Sequence, residues 1–264
     1  MFGRRFFLAN LLAGFGALLF PGRSRASCQL NVVQGPGQRE RVRPVSFHAT
    51  GKTTLEWIAH ACFAITTGQG TRIVADPAFR LEGPPLPAAD VVTAGCLHPF
   101  HNALGAVPGN PRAFVGISPD GQNWNRISAT VKEVKITSVP TLHLDGQQKG
   151  SAFLFQFGGL CLVHLGDLGQ PLTPELRSLL GRPDVLLLPI GGGSYSIGPE
   201  RARAVLQDLQ PRLAIPMHTG EPEEEVISRF VAGFPRVQRL EQTTLSLTRL
   251  SLPVQTTIAV LKHL

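Results

Sequence analysis

The feature that most constrains this 264-residue chain is where its metal-binding side chains stand relative to its predicted strands. Five such side chains follow apolar runs that are typical of strands. They are His98 and His101 after VVT, His143 after KITSVP, Asp167 after LCLVHL and His218 after LAIPM. Loops at the ends of a rigid scaffold often carry functional residues. The pattern therefore predicts a β-rich scaffold that presents a metal site at one edge.

The predicted elements change in character along the chain. Short strands are predicted at 54–59, 62–67, 71–76, 91–93, 112–117, 130–139, 152–157, 160–165, 243–250 and 256–261. Helices are predicted at 173–181, 199–209 and 221–231, and they alternate with continuous apolar runs at 184–190 and 212–218. Such runs are typical of strands buried on both faces. A meander followed by β–α alternation favours two sheets packed face to face with helices outside.

The first 26 residues have the features of an export signal. Arg4 and Arg5 precede an apolar run that ends at Phe20, and Ser24 and Ala26 are small residues where a signal peptidase cleaves. Paired arginines before a modest apolar run resemble a signal for the twin-arginine export machinery. The predicted organisation is a signal peptide at 1–26, a lead-in at 27–52 and one folded domain at 53–264, in the periplasm.

An uncleaved membrane anchor is the alternative interpretation of residues 1–26. The apolar run is shorter than the roughly 20 residues that a helix needs to cross a bilayer. The membrane is therefore expected as a partner only through this signal segment.

The basic charge of the chain belongs partly to the same segment. The formal net charge is +7, and residues 1–26 contribute four arginines and no acid, so a cleaved chain would keep +7 − 4 = +3. No stripe of Lys and Arg alternates with aromatic residues, so nucleic acid is not expected as a partner.

The four cysteines do not form a recognisable disulfide scaffold. Cys62 and Cys161 lie inside apolar strand-like runs and are interpreted as buried free thiols. An oxidising compartment would nevertheless permit disulfides, and their connectivity cannot be read from spacing.

Six segments, in their order and spacing, resemble those of metallo-β-lactamase-fold hydrolases, in particular the broad Zn-dependent hydrolase branch. They are EWIAHACFAI, IVADPAF, VPTLHLDG, CLVHLGDLGQPLT, LLLPIGGGSYSIGPERA and IPMHTG. The resemblance implies an α/β fold, an αββα four-layer sandwich with its metals at one edge. It also implies hydrolysis of an ester, lactone, amide or phosphodiester bond in a small-molecule substrate by metal-bound hydroxide, since a bound metal lowers the pKa of water from about 15.7 to about 7.

The family's signature, His-x-His-x-Asp-His, is altered in this chain. The aligned segment is CLHPFH, in which Cys96 replaces the first His and Phe100 replaces the Asp. Cys is an established Zn ligand, whereas Phe100 cannot bind a metal. The departures therefore bear directly on function.

Carried over position by position, the resemblance implies two neighbouring metal sites. The predicted ligands are Cys96, His98, His143 and Asp167 at the first site, and His101, His218 and the bridging Asp167 at the second. Asp167 is also the predicted catalytic residue, since it would hold the attacking water. Support of the ligands or contact with the substrate is predicted for His60, Asp76 and Tyr195. The predicted cofactor is one or two Zn ions, with Fe or Mn as the alternatives.

Two other functions stay open at this point. Phe100 favours a catalytically degenerate metal-binding protein of the cell envelope, in which Cys96 would be a small buried hydrophobe. The remnant of two His and one carboxylate is also a set used by non-haem iron, which favours a mononuclear iron oxidoreductase. His164 is interpreted as structural, and His48 and His263 as surface residues.

Overall fold

The computed structural model describes residues 51–79 and 85–262. The predicted signal peptide and nearly all of the lead-in lie outside the described residues, as do Cys28, His48 and His263. Within the described part, no helix is long and apolar enough to cross a membrane.

The described residues form fourteen strands and three α-helices. The strands are β1 (Thr53–Ala59), β2 (Cys62–Thr66), β3 (Arg72–Ala75), β4 (Val91–Ala94), β5 (Arg112–Val115), β6 (Ser128–Val131), β7 (Val134–Leu142), β8 (Lys149–Phe157), β9 (Leu160–His164), β10 (Val185–Pro189), β11 (Leu213–Met217), β12 (Val237–Arg239), β13 (Thr244–Leu247) and β14 (Thr257–Val260). The helices are α1 (Pro174–Leu180), α2 (Pro199–Leu209) and α3 (Glu223–Val231).

Two mixed sheets pack face to face. The first has the order β13-β1-β2-β3-β4-β5 and the second the order β12-β14-β11-β10-β9-β8-β7-β6. Neighbours from β6 to β9 are antiparallel, whereas β9, β10, β11, β14 and β12 run parallel. This is the predicted α/β sandwich, with a meander that leads into β–α alternation.

The core between the sheets is rich in aromatic side chains. Trp57 and Phe63 from the first sheet join Phe153 and Phe155 from the second in one buried cluster. Phe155 is fully buried, so its truncation to Ala should cost about 3–5 kcal/mol of folding free energy. This core fixes the two sheets against each other and so fixes the loops at their common edge.

The outer faces of the two sheets are covered differently. All three helices pack on the second sheet, where Leu176, Leu206 and Phe230 join the side chains of its outer face. On the outer face of the first sheet, Leu86, Ala89 and Val107 from the loops on either side of β4 pack against the strands, and a 3-10 turn lies at Leu104–Ala106. Helix α1 begins as predicted, since Thr173 Oγ1 accepts a hydrogen bond from Leu176 N and Pro174 is the first helical residue.

The single strand predicted at 130–139 is in fact a hairpin of β6 and β7. The chain reverses at Lys132, whose φ is +51°, a conformation that apolar alternation does not reveal. Strand β12 was missed because three residues are too few for a periodic pattern. These differences leave the edge that carries the site unchanged.

The two interpreted free thiols have different outcomes. Cys62 is buried and its thiol forms no disulfide, as predicted. The prediction is wrong for Cys161, which is disulfide-bonded. Burial in an apolar strand fits a free or a bridged cysteine equally well, so the strand pattern could not distinguish them.

Candidate metal centre

The predicted site residues follow the ends of strands from both sheets. His60 lies in the turn between β1 and β2, Asp76 follows β3, and Cys96, His98 and His101 follow β4; His143 follows β7, Asp167 follows β9, Tyr195 follows β10 and His218 follows β11. Their side chains meet through the contacts described below. The sandwich thus gathers residues that are far apart in the sequence at one edge.

The first group of candidate ligands is Cys96, His143 and Asp167. Their donor atoms lie within 4.8 Å of one another, and all three residues are buried. Cys96 Sγ is 3.7 Å from Asp167 Oδ2. Within the part of the chain that the structure describes, both ring nitrogens of His143 are buried without a hydrogen-bond partner. Buried polar atoms are seldom left unpartnered, so a thiol, an imidazole and a carboxylate in this arrangement fit a divalent metal ion.

The second group is His60, His101 and His218, whose nitrogens also lie within 4.8 Å of one another. The His60 ring centroid is 3.8 Å from that of His218 and 5.1 Å from that of His101. Asp167 lies between these imidazoles, with Oδ2 3.0 Å from His101 Nε2 and Oδ1 2.9 Å from His218 Nε2. One carboxylate therefore contacts members of both groups, as a bridging ligand must.

Asp76 orients His101 from the side away from Asp167. Its Oδ2 is 2.9 Å from His101 Nδ1, and its Oδ1 accepts a hydrogen bond of 2.8 Å from Gly95 N. A carboxylate on one ring nitrogen fixes the tautomer and directs the other nitrogen toward a metal. Asp76 is fully buried, so this orientation is rigid.

His164 has the structural role predicted for it. Its Nε2 is 2.8 Å from the carbonyl oxygen of Ala61, and its Nδ1 accepts a hydrogen bond from Gly166 N. Both ring nitrogens are thereby used to join the β1–β2 turn to the loop that carries Asp167.

Three site residues have a left-handed backbone conformation, which non-glycine residues disfavour. His60, Asp76 and His218 have φ values of +54°, +47° and +50°, and they are half of the six such non-glycine residues in the described part of the chain. Left-handed conformations cost free energy and concentrate at functional sites. His218 N donates to the carbonyl oxygen of His60, which holds two of these strained turns together.

Burial and charge set the protonation of the second group. Burial, together with the nearby His218 and His101, lowers the pKa of His60 to about 3, so its imidazole is neutral. Burial alone would lower the pKa of His101, but its hydrogen bonds to Asp167 and Asp76 outweigh burial and raise that pKa to about 10. The same pairing with His101 and His218 outweighs burial at Asp167 and holds its pKa well below the usual range.

The thiol and the imidazole of the first group both favour their neutral forms. Burial, and then the negative charges of Asp167 and Asp76, raise the pKa of the Cys96 thiol far above its usual range. Burial also lowers the pKa of His143, which keeps its imidazole neutral. A metal ion would need the thiolate, so metal loading should release protons.

The positions of His98 and His60 in the site differ from the predicted ones. His98 is half-buried and belongs to neither group, since its Nδ1 accepts a hydrogen bond from Phe100 N and its ring lies 6.4 Å from that of His101. His60 was predicted to support the ligands or to contact the substrate, yet one of its ring nitrogens lies within 4.8 Å of nitrogens of His101 and His218. The position of His60 in the turn between β1 and β2 is the feature of the sequence that indicates a role at the site. The spacing of residues does not reveal how close its ring comes to that of His218.

Phe100 and Tyr195 lie at the mouth of the site. Phe100 is 49% exposed and its ring is 5.7 Å from that of His60. Tyr195 is 39% exposed, and its ring is edge-on to His143 at 5.8 Å. Both aromatic rings thus contact candidate ligands while facing solvent.

Known proteins share this architecture. A family model described as a β-lactamase superfamily domain matches residues 54–218. A UPF0173 metal-dependent hydrolase from Methanoculleus marisnigri is 31% identical over 185 residues, which cover 62% of this chain and 80% of the relative. The structure of a candidate Zn-dependent hydrolase of the metallo-β-lactamase superfamily from Thermotoga maritima is 34% identical, with a TM-score of 0.65, and covers 79% of this chain and 98% of that one. The structure of a candidate metal-dependent hydrolase from Parabacteroides distasonis, 20% identical with a TM-score of 0.56, covers 70% of this chain and 90% of that one and shares the fold.

Proposed function

This chain belongs to the metallo-β-lactamase superfamily, and we propose that this metal-dependent hydrolase is exported and cleaves an ester, lactone, amide or phosphodiester bond of a small molecule. The observation that carries the proposal is the position of Asp167. Its carboxylate contacts Cys96 of the first group and both His101 and His218 of the second. A single acid between two sets of donors suits a hydrolytic centre with two neighbouring metal ions.

The residues present suit the chemistry of such a centre. A bound divalent cation would supply a Lewis acid and make a water acidic enough to attack near neutral pH. Asp167 would hold that water, and Asp76 would keep His101 Nε2 directed into the site. Tyr195 lies at the mouth, where its hydroxyl can donate to a substrate oxygen.

Zinc is the metal we propose, with one or two ions bound. Thiolate, imidazole and carboxylate together are ligands that Zn accepts in tetrahedral sites. The second group offers three imidazoles and a shared carboxylate, so it supplies enough donors although the motif's Asp is replaced by Phe100. Fe and Mn are the alternatives, since imidazole and carboxylate also suit them.

Export rests on Arg4 and Arg5 with the short apolar run that follows. The disulfide of Cys161 supports it, because structural disulfides persist mainly in oxidising compartments such as the periplasm. The lead-in and the signal segment themselves lie outside the described residues.

A metal-binding envelope protein without hydrolytic activity is the second candidate function. Phe100 favours it, because an exposed aromatic ring stands where the family motif places a carboxylate. A hydrolase that has lost a ligand could keep a bound ion and lose turnover.

Metal content and turnover of the purified mature protein test these alternatives. We expect one or two Zn per chain and hydrolysis of at least one substrate in a panel of esters, lactones, amides and phosphodiesters. Asp167→Ala and His143→Ala should lower bound metal well below the wild-type ratio, whereas His48→Ala, which changes a residue that the sequence predicts to lie at the surface, should not. Bound metal without turnover would support the second candidate, and bound Fe would support an oxidoreductase. An equal loss of metal in His48→Ala would contradict the site assignment.

A further inference from the structure

Exposed apolar side chains are concentrated around the candidate metal centre. In the part of the chain that the structure describes, eight large hydrophobic side chains are exposed. Five of them surround the centre, and we call them the apolar rim: Phe79, Leu97, Phe100, Leu144 and Tyr195. Contiguous exposed apolar surface on a soluble domain usually marks a binding site.

Two rim residues contact the candidate ligands directly. The Phe100 ring lies 5.7 Å from His60 and 5.4 Å from His98. The Tyr195 ring lies 5.4 Å from His98 and 5.8 Å from His143. The rim is therefore continuous with the metal centre rather than a separate patch.

The other three rim residues stand on the loops that carry the ligands. Leu97 lies between Cys96 and His98. Leu144 follows His143, and its N–H donates to the carbonyl oxygen of Tyr195. Phe79 N–H donates to the carbonyl oxygen of Pro99, next to Phe100. Loops from β3, β4, β7 and β10 thus present apolar side chains at one mouth.

The ion pairs of Lys and Arg in residues 51–79 and 85–262 join them to acids such as Asp90, Asp208 and Glu224, and none of these pairs includes a residue of the centre. Recognition of phosphates normally uses Arg or Lys in direct contact. The exposed side chains of the rim itself offer contacts to an uncharged apolar group.

We propose that the apolar rim binds an acyl or aryl group that adjoins the cleaved bond, so that hydrophobic esters and amides are the preferred substrates. The cleavage in this statement rests on the proposed function, whereas the binding of the apolar group does not. Each methylene that the rim buries should tighten binding by about 2- to 4-fold.

Binding of straight-chain carboxylates, from acetate to octanoate, tests the rim without any turnover. Calorimetry would give Kd for the wild type, for the rim variant Phe79→Ser/Leu97→Ser and for the control Leu250→Ser/Val254→Ser. The control residues are 95% and 87% exposed and lie far from the site in the loop before β14. Metal content of all three proteins would be measured in parallel, so that a lost ion is not mistaken for a lost contact.

We expect Kd to fall by about 2- to 4-fold per methylene in the wild type and the control. In the rim variant this dependence should flatten, with octanoate bound at least about 10-fold more weakly at unchanged metal content. A flat dependence in the wild type, or equal behaviour of rim variant and control, would overturn the proposal.

Two other occupants of the rim would also give a distinct result. If the carboxylate series stays flat, sedimentation of the wild type but not of the rim variant with vesicles of phosphatidylethanolamine and phosphatidylglycerol would assign the rim to a membrane. A dimer that light scattering detects for the wild type but not for the rim variant would instead assign the rim to a second copy of the chain. A steep carboxylate series without hydrolysis of any ester, lactone, amide or phosphodiester would keep the binding of an apolar group by the rim and refute the hydrolase proposal.

Discussion

Replacing Asp76 by Asn tests whether the metal centre depends on a residue that binds no metal itself. Asn keeps the size of the side chain and can still accept the hydrogen bond from Gly95 N. It removes the negative charge that lies 2.9 Å from His101 Nδ1. The substitution therefore alters the orientation and basicity of one imidazole and leaves the packing of a fully buried position almost unchanged.

The expected loss follows from this contact. Acids that hydrogen-bond to a metal-ligating His typically contribute 10- to 100-fold to metal affinity, which is about 1.4–2.7 kcal/mol. His101 contacts Asp167 as well as Asp76, so one of the two charges that raise its pKa remains in the variant. We therefore expect a loss of about 10-fold, at the lower end of that range.

Competition with a chelator of known Zn affinity would measure this loss. The matched control is Asp145→Asn, because Asp145 is also an acid near His143 but is exposed and bonds only to the backbone N–H groups of Gln147 and Gln148. The control should retain wild-type affinity. Wild-type affinity in Asp76→Asn, with the protein folded, would show that His101 is not a ligand and would refute the reasoning.

Three further predictions concern the ligand set, the pH dependence and export. Phe100→Asp should raise the amount of the second bound ion, because it restores a carboxylate beside the second group, whereas Phe100→Ala should not. Metal-to-protein ratios would measure this rise. Equal ratios in the two variants would mean that His60 already fills the ligand position. In the metal-free protein, the pKa of His101 is raised to about 10 from 6.5. Its contribution to the unfolding free energy is therefore complete below about pH 6.5 and is lost as the pH rises toward 10. Urea unfolding across this range should show a decline in the unfolding free energy that is smaller in Asp76→Asn, and identical pH profiles of the two proteins would contradict the prediction. Replacing Arg4 and Arg5 by Lys should lower the periplasmic yield in cell fractions, and an unchanged yield would argue against the twin-arginine route.

The sequence was sufficient for the architecture because the signals were local. Continuous apolar runs predicted the buried strands β10 and β11, and polar residues directly after strands predicted the edge where the site lies. His143, Asp167 and His218 each follow a strand end within a few residues, so strand positions alone brought them together. The family resemblance indicated which of these residues belong to which metal site.

The arrangement within the site depended on information that spacing does not carry. His60 reaches the second group because two turns adopt left-handed conformations and share a hydrogen bond, which no periodic pattern reveals. His98 has the spacing of a ligand, but its ring turns toward Tyr195 and accepts a bond from Phe100 N. The disulfide of Cys161 likewise could not be predicted from the apolar pattern of its strand.

The left-handed conformations of His60, Asp76 and His218 oppose the stability of the metal-free fold to its capacity to bind a metal. Glycine adopts this conformation without the steric cost that a side chain bears, which is of order 1–3 kcal/mol for a strained residue. Exchanging His60 for Gly should therefore relieve this cost in the metal-free fold while removing a donor. At Asp76 and His218 the lost pairing with His101 and Asp167 opposes the same gain. Laboratory selection of this chain for heat resistance alone would tend to erase its metal centre first, and thermostable descendants should be screened for bound metal as well as for melting temperature.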